Sequence, residues 1–274
     1  MKKLLAMLLA ATMLLCLVAC SDKNDNDKND LKDYEVEEII ITYVVTENGD
    51  TFHFESVDSE TVAITKYEGP DTPHAVEIPA VLNEKKVVAI ADTAFYYSSQ
   101  ITALTFPDTL TTIGSFAFAG CSGLTELNIP ATVSTIGEAA FYGCTALTKV
   151  TFAQTSSLKN IEQRTFDSCT ALTAISIPAY IETIGTGAFL GCTKLASITI
   201  AEGCQIIGAQ AFQNCTELAS LKLPASVASI GKFAFAGSEN LYMDGVEYPA
   251  DSYAESYIKN MKLEETAPPV EDEE

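Results

Sequence analysis

The chain has 274 residues, 47% of them hydrophobic and only 19% charged, so it carries enough apolar material for a large core and is not disordered throughout. Its 37 acids against 16 bases, a net charge of −21, exclude a protein that tracks nucleic-acid phosphates with clustered Lys and Arg. One arginine (Arg164), two histidines (His53 and His74) and no tryptophan provision acid–base or His-based metal chemistry poorly, which points away from an enzyme.

In chain order, Lys2 and Lys3 precede the apolar run from Leu4 to Val18, the pattern of a secretory signal. That run is shorter than the roughly 20 apolar residues a membrane-spanning helix needs. It ends Leu17-Val18-Ala19-Cys20 and resembles a bacterial lipobox. The resemblance implies removal of residues 1–19 and lipidation of Cys20, with anchorage in an envelope membrane, expected to be the outer membrane with the chain exposed at the surface. Ordinary cleavage after Ala19 is the alternative. Residues 20–38 then hold eight acids and three lysines with almost nothing to bury, and read as a disordered acidic tether. Asp25, Asp27 and Asn29 hint at a calcium loop, but Asp30 and Val36 stand where its glycine and closing glutamate belong.

Residues 39–89 read as an N-terminal β cap: Thr61–Ile64 and Val76–Ile78 alternate like strands, and Asn83–Lys86 makes a hairpin-like turn. From 90 to 249 the chain repeats itself. Phe95, Phe118, Phe141, Phe166, Phe189, Phe212 and Phe235 are spaced by 23 residues throughout, except for 25 between Phe141 and Phe166. Each unit contains a short alternating run such as Leu124-Thr-Glu-Leu127-Asn-Ile129, a half-buried strand, usually closed by proline (Pro107, Pro130, Pro178, Pro224). A Val-x-x-Ile-Gly corner follows, where glycine answers either a positive φ or a close backbone approach. An Ala-Phe-x-x-Cys segment then returns as a short helical or turn-like piece. One such unit cannot enclose a core, so units stack and share one. The two extra residues predict a bulged corner at Gln154–Ser157. Ser252 and Glu255 form a capping box for a helix over 250–263, with Tyr253, Tyr257 and Ile258 inward, and 264–274 reads as a disordered acidic tail. The array is nearly neutral and the acidity lies at the ends: −11 in residues 20–89, −4 in 90–241 and −8 in 242–274.

The frame I-G-x-x-A-F-x-x-C-x-x-L, carried by IGSFAFAGCSGL and its copies over about residues 76–249, resembles the BspA-type (treponemal) class of leucine-rich repeats. The resemblance implies a leucine-rich-repeat solenoid of the strand-rich α/β repeat class, with a parallel sheet on one face and helical or turn segments on the other. Thr132 stands where the wider superfamily places an asparagine, so no asparagine ladder is expected. The resemblance also implies a surface adhesin that engages host matrix proteins, such as fibronectin and fibrinogen, or other bacteria.

Five cysteines (Cys121, Cys144, Cys169, Cys192, Cys215) share one repeat position, and Cys204 replaces a core valine. They read as a buried packing ladder, with disulfides or a metal site as alternatives. The outward strand positions are small, hydroxyl-rich and weakly charged. Among them Glu126, Asn128, Lys149, Thr151, Ser176, Thr199 and Lys222 are the candidate partner-binding residues, on a concave platform for a protein or glycan. No catalytic set, phosphate loop, cofactor or metal ligand group can be assembled, and nucleic acid is not expected as a partner. The expectation is a monomeric, non-enzymatic surface binding protein, with an envelope scaffold lipoprotein as the alternative.

Overall fold

A computed structural model describes residues 42–238, 240–241 and 246–266. The segments expected to be the signal sequence and the tether, with Cys20 between them, lie outside the described residues, as do residues 267–274.

The cap begins with β1 (Tyr43–Val45), β2 (Thr51–Ser56) and β3 (Thr61–Glu68), paired antiparallel in that order. β4 (His74–Glu77) instead joins the main sheet. β5 (Val81–Leu82) and β6 (Lys85–Ile90) form a hairpin whose two turn residues, Asn83 and Glu84, have φ of 47° and 63°. Both central residues in the left-handed region mark the turn whose twist matches its strands. β6 then pairs in parallel with β3, which converts an antiparallel cap into a stacking coil.

Above the cap, each coil contributes one four- or five-residue strand to a main parallel sheet. These are β7 (Ile101–Thr105), β9 (Glu126–Ile129), β11 (Lys149–Phe152), β13 (Ala174–Ile177) and β15 (Ser197–Ile200). The shorter β17 (Ser220–Lys222) and β19 (Val246–Glu247) continue it, and with β4 the sheet has eight strands in chain order. The alternation is visible in burial: in β9 Leu127 and Ile129 are buried while Glu126 and Asn128 are exposed.

The Val-x-x-Ile corner is more than a corner. Its last two residues are short strands, β8 (Thr112–Ile113), β10 (Thr135–Ile136), β12 (Asn160–Ile161), β14 (Thr183–Ile184), β16 (Ile206–Ile207) and β18 (Ser229–Ile230). They build a second parallel ladder, continuous from β6 to β10 and again from β12 to β18, but broken between β10 and β12. The break falls at the 25-residue coil, where residues 153–159 carry bends and no strand. Leu158, 2% exposed, still fills the core position that Val133 fills one coil earlier.

The glycine after the corner Ile, present in five of the six coils with Glu162 in its place in the 25-residue coil, is there for close approach. Its φ is not positive, but a Cβ on Gly137 would lie 2.5 Å from the Ser115 nitrogen, and one on Gly231 2.3 Å from that of Ala209. Left-handed backbone occurs elsewhere, at two positions of every coil. Two residues before each Phe stand Thr93, Phe116, Ala139, Arg164, Gly187, Gln210 and Phe233, with φ between 52° and 61°. Two residues after it stand Tyr97, Gly120, Gly143, Ser168, Gly191, Asn214 and Gly237, with φ between 58° and 76°. The Ala-Phe segment is therefore a turn, not a helix. It carries a third line of hydrogen bonds: the Phe118, Phe166 and Phe212 N–H groups donate to the carbonyls of Ala140, Ala188 and Ala234 in the next coil, at 2.7–2.8 Å.

The core is a column of rings. Consecutive phenylalanines from Phe95 to Phe235 stack with centroids 4.7–5.5 Å apart, and the planes from Phe118 onward tilt by at most 16°. Tyr67 stacks on Phe95 at 4.7 Å and Tyr257 meets Phe235 edge-on at 6.5 Å, so a tyrosine closes each end. Among the described residues all six cysteines are buried as free thiols. The five in-frame thiols donate to the Phe carbonyl of the preceding coil, at 3.2–3.5 Å, from Cys121 to Phe95 through Cys215 to Phe189. Threonine hydroxyls just before the strands also tie neighbouring coils: Thr125 donates to Thr102 O at 3.1 Å, and Thr148 to Thr125 O at 3.0 Å.

The C-terminal helix, α1 (Tyr253–Thr266), runs three residues further than expected. Ser252 Oγ accepts the Glu255 N–H at 3.1 Å, and Glu255 reaches back to accept the Asp251 N–H at 2.7 Å. This cap fixes the helix phase so that Ala254 and Ile258 are fully buried. Tyr253 is 44% exposed, which corrects its inward assignment.

Candidate functional site

The seven outward residues singled out above all lie on one face of the main sheet, in two columns. Glu126 and Lys149 are direct partners in the first, which continues to Ala103 on one side and Ala174 on the other. Asn128, Thr151, Ser176, Thr199 and Lys222 occupy the second, which runs on to Glu247. All are exposed except Thr151, which is half-buried because its hydroxyl donates to Asn128 Oδ1 at 3.0 Å. Lys222 Nζ lies 3.6 Å from Glu247 Oε2, an exposed pair of small energetic weight.

At the far end of the second column the face deepens into an open depression of about 470 Å³, lined by Thr199, Lys222, Glu247 and Tyr248 over a floor that includes Ile200 and Leu223. The repeat departs from its own pattern here. Ala201 replaces the usual proline, and Gly203 is required twice over, by its φ of 126° and because a Cβ there would run into the Ala179 carbonyl. Glu202 Oε1 and Oε2 accept the Ala225 and Ser226 N–H groups at 2.9 and 3.1 Å, chiefly the former holding its carboxyl below the ordinary glutamate pKa. The chemistry on offer is recognition: one fixed carboxylate at Glu202, the exposed Lys222–Glu247 pair and a small apolar floor.

A second polar constellation lies in the cap and was not legible as a unit in the sequence. The Tyr67 hydroxyl donates to Asp50 Oδ1 at 2.6 Å, His74 Nε2 sits 2.9 Å from both that oxygen and the hydroxyl, and His74 Nδ1 lies 2.8 Å from the Thr72 carbonyl. The carbonyl requires a proton on Nδ1, and the carboxylate favours one on Nε2, so the arrangement suits the doubly protonated ring. The Thr72 carbonyl first, and then Asp50 against the opposing effect of burial, raise the His74 pKa above its ordinary value. Burial and Asp50 push the Tyr67 phenol up as well. Asp50 is 3% exposed, and the hydroxyl is locked inside the cluster, so its geometry is that of a buckle holding the first ring of the column. Among the described residues no three His, Cys, Asp or Glu side chains are grouped to hold a metal ion.

Comparison with known proteins agrees with this architecture. The model of the BspA type leucine rich repeat region matches in six copies, over residues 88–219 and 159–269. A leucine-rich repeat protein of T. pallidum is 28% identical with a TM-score of 0.65, the match covering 76% of this chain and 92% of that one. One from Eubacterium ventriosum is 27% identical with a TM-score of 0.63, covering 77% of this chain and 52% of that one. No curated protein matches. The repeat model spans most of the chain and its coils stack as a solenoid: the chain belongs to the BspA-type leucine-rich repeat family.

Proposed function

We propose that the chain is a non-enzymatic binding protein, held at the bacterial surface by a lipid on Cys20, that engages a partner protein through the outward face of the main sheet. The observation that supports this most is the pair of in-register columns. Across the sheet the outward side chains recur at one spacing, most of them small and polar with Glu126, Lys149, Lys222 and Glu247 as charged points, a broad regular surface on which a protein partner can lie. The depression beside Lys222 offers that surface an anchoring point. Host matrix proteins are the partner class that the family resemblance suggests.

The test uses the mature chain and intact cells. Replacing Asn128, Thr151 and Ser176 together by arginine, with Lys222→Glu, should abolish attachment to immobilised fibronectin or fibrinogen while leaving the circular dichroism spectrum unchanged. Attachment that survives those changes but disappears when 153–157 is shortened moves the contact to the irregular corner. Cys20→Ala should remove labelling by a fatty-acid probe. Protease shaving of intact cells should release the protein, whereas a periplasmic scaffold would be spared.

A further inference from the structure

The turn face, away from the main sheet, carries large aromatic side chains where folding does not call for them. Tyr96 and Tyr97 are 50% and 65% exposed, Phe116 38% and Tyr142 37%. Tyr97 and Phe116 occupy the two left-handed positions of their coils, with φ of 58° and 54°, where other coils place Gly120, Gly143, Ala139 or Gly187. A bulky side chain at such a position adds backbone cost, and here its ring also faces water, so neither residue is explained by stability.

These four side chains belong to three successive coils and form one exposed aromatic patch on the turn face. Tyr96 and Tyr142 occupy the same repeat position two coils apart, about 10 Å at the spacing of stacked strands. Between them in that column is Ala119, small and fully buried. Tyr96 and Tyr97 meet edge to face at 4.5 Å, and Tyr97 lies over the bare backbone of Gly120, where a Cβ would come within 2.8 Å of its ring. The Tyr96 phenol is held above its ordinary pKa, mainly by the Tyr97 hydroxyl with Tyr142 contributing, so the three phenols are within electrostatic reach of one another. At the rim, the Arg164 Cζ stands 6.0 Å from the centre of the Tyr142 ring. Its charge is met by Asp167, whose Oδ2 is 3.0 Å from Arg164 Nε.

The charge and size of the aromatic patch narrow the ligand. Asp92, bound to the Ser115 N–H, and Glu138, bound to Gln163, sit beside Phe116's neighbours in the left-handed column, and with Asp167 they leave no uncompensated cation. An anionic ligand would meet carboxylates on a chain of net charge −21. The exposed aromatic area is about 300–500 Å². That is well short of the ~800 Å² per partner of a stable protein interface, which argues against a second copy or a folded domain. Rigid exposed rings, three of them with hydroxyls at their edges, and no net positive charge fit a flat, uncharged, hydroxyl-rich molecule whose C–H faces stack on the rings.

We propose that Tyr96, Tyr97, Phe116 and Tyr142 form a binding site for a neutral saccharide, separate from the sheet face and independent of the function proposed for it. The probes are laminarin, konjac glucomannan and yeast mannan cast into native gels, with hyaluronan as the anionic polymer and gelatin as the polypeptide. At least one neutral polysaccharide should retard the mature chain, and hyaluronan and gelatin should not. Since the chain has no tryptophan, quenching of tyrosine emission should accompany binding. Tyr96→Ala with Tyr142→Ala should weaken retardation at least about tenfold, ~1.4 kcal/mol. Tyr97→Gly should do likewise without lowering the melting temperature, which separates lost binding from lost fold. Phe233→Ala removes an exposed aromatic at Phe116's repeat position near the other end of the array, where Lys232 covers its ring, and should change nothing. No retardation by any neutral polymer, undiminished retardation of the double variant, or stronger retardation by gelatin would each overturn the assignment.

Discussion

Replacing Phe166 by alanine tests the claim that the ring column holds the coils together. Phe166 is fully buried and stacked on both sides, at 5.5 Å to Phe141 and 5.3 Å to Phe189. Truncating such a ring removes its burial and leaves a cavity, at a cost of about 3–5 kcal/mol. Within that figure, the two lost stacking contacts account for roughly 0.5–1.5 kcal/mol each. Phe235 has one stacked neighbour, Phe212, and only an edge contact from Tyr257 beyond it. Phe235→Ala should therefore cost less, toward the lower end of that range. Glu126→Ala, on an exposed strand position, should cost under about 0.5 kcal/mol. For a domain of this size the central substitution should lower the melting point by about 6–20 °C. Urea and thermal unfolding followed by far-ultraviolet circular dichroism measure all three. Because a repeat array is bound by nearest-neighbour contacts, Phe166→Ala should also broaden the transition. A loss at Phe235 equal to that at Phe166, or a loss at Glu126 matching either, would refute the column as the source of stability.

The six repeat-region thiols should be silent toward a thiol reagent at pH 8 in the native protein and all react after denaturation, because burial pushes Cys121 and Cys215 up to about 12 and Cys144, Cys169 and Cys192 well above their ordinary value. Cys204, raised only to about 11, should be the first to react as denaturant is added, and a non-reducing mass short by two hydrogens per pair would instead reveal bridges. The His74 buckle makes stability pH-dependent: its folded pKa is raised, so the proton stabilises the folded state fully below about pH 6.5 and that contribution disappears as pH rises through the folded value. Melting temperatures from pH 5.5 to 9 should show this decline in the natural chain and not in His74→Gln, which keeps a donor for Asp50 but does not titrate; parallel curves would remove the buckle from the account.

Much of the fold was legible because the repeat prints the same physical demand many times. One Phe at a given place is a core residue of unknown neighbours, but seven at a fixed spacing define a column, and Leu127 and Ile129 alternating with Glu126 and Asn128 define which way the strand faces. The second ladder was harder to see. Its strands are two residues long, and Thr135–Ile136 offers no alternation to read. The left-handed positions were obscured by their occupants: Arg164, Ser168 and Gln210 carry none of glycine's signal, and the backbone there is dictated by the coils above and below. Tyr253 was assigned to the wrong side because it lies four residues before Tyr257, whereas the buried stripe runs one residue on, through Ala254 and Ile258. The candidate sites draw on distant segments. Asp50, Tyr67 and His74 meet only because the cap strands pair, and the depression joins Thr199 to Glu247 across two coils.

The break in the second ladder at the 25-residue coil bears on how the molecule would respond to tension. A coil that peels from its neighbour releases its whole contour, about 76–83 Å for 23 residues, whereas the coil between Phe141 and Phe166 releases about 83–90 Å. Pulled from its ends, the array would lengthen in nearly equal increments punctuated by one longer step. Between β10 and β12 that step has lost one of the three hydrogen-bonded lines that join other coils, while the Phe141 N–H still donates to the Thr165 carbonyl at 2.9 Å. The seam is thus a built-in mechanical fuse, placed where slack can be given up in the middle of the array while the coils on either side stay wound.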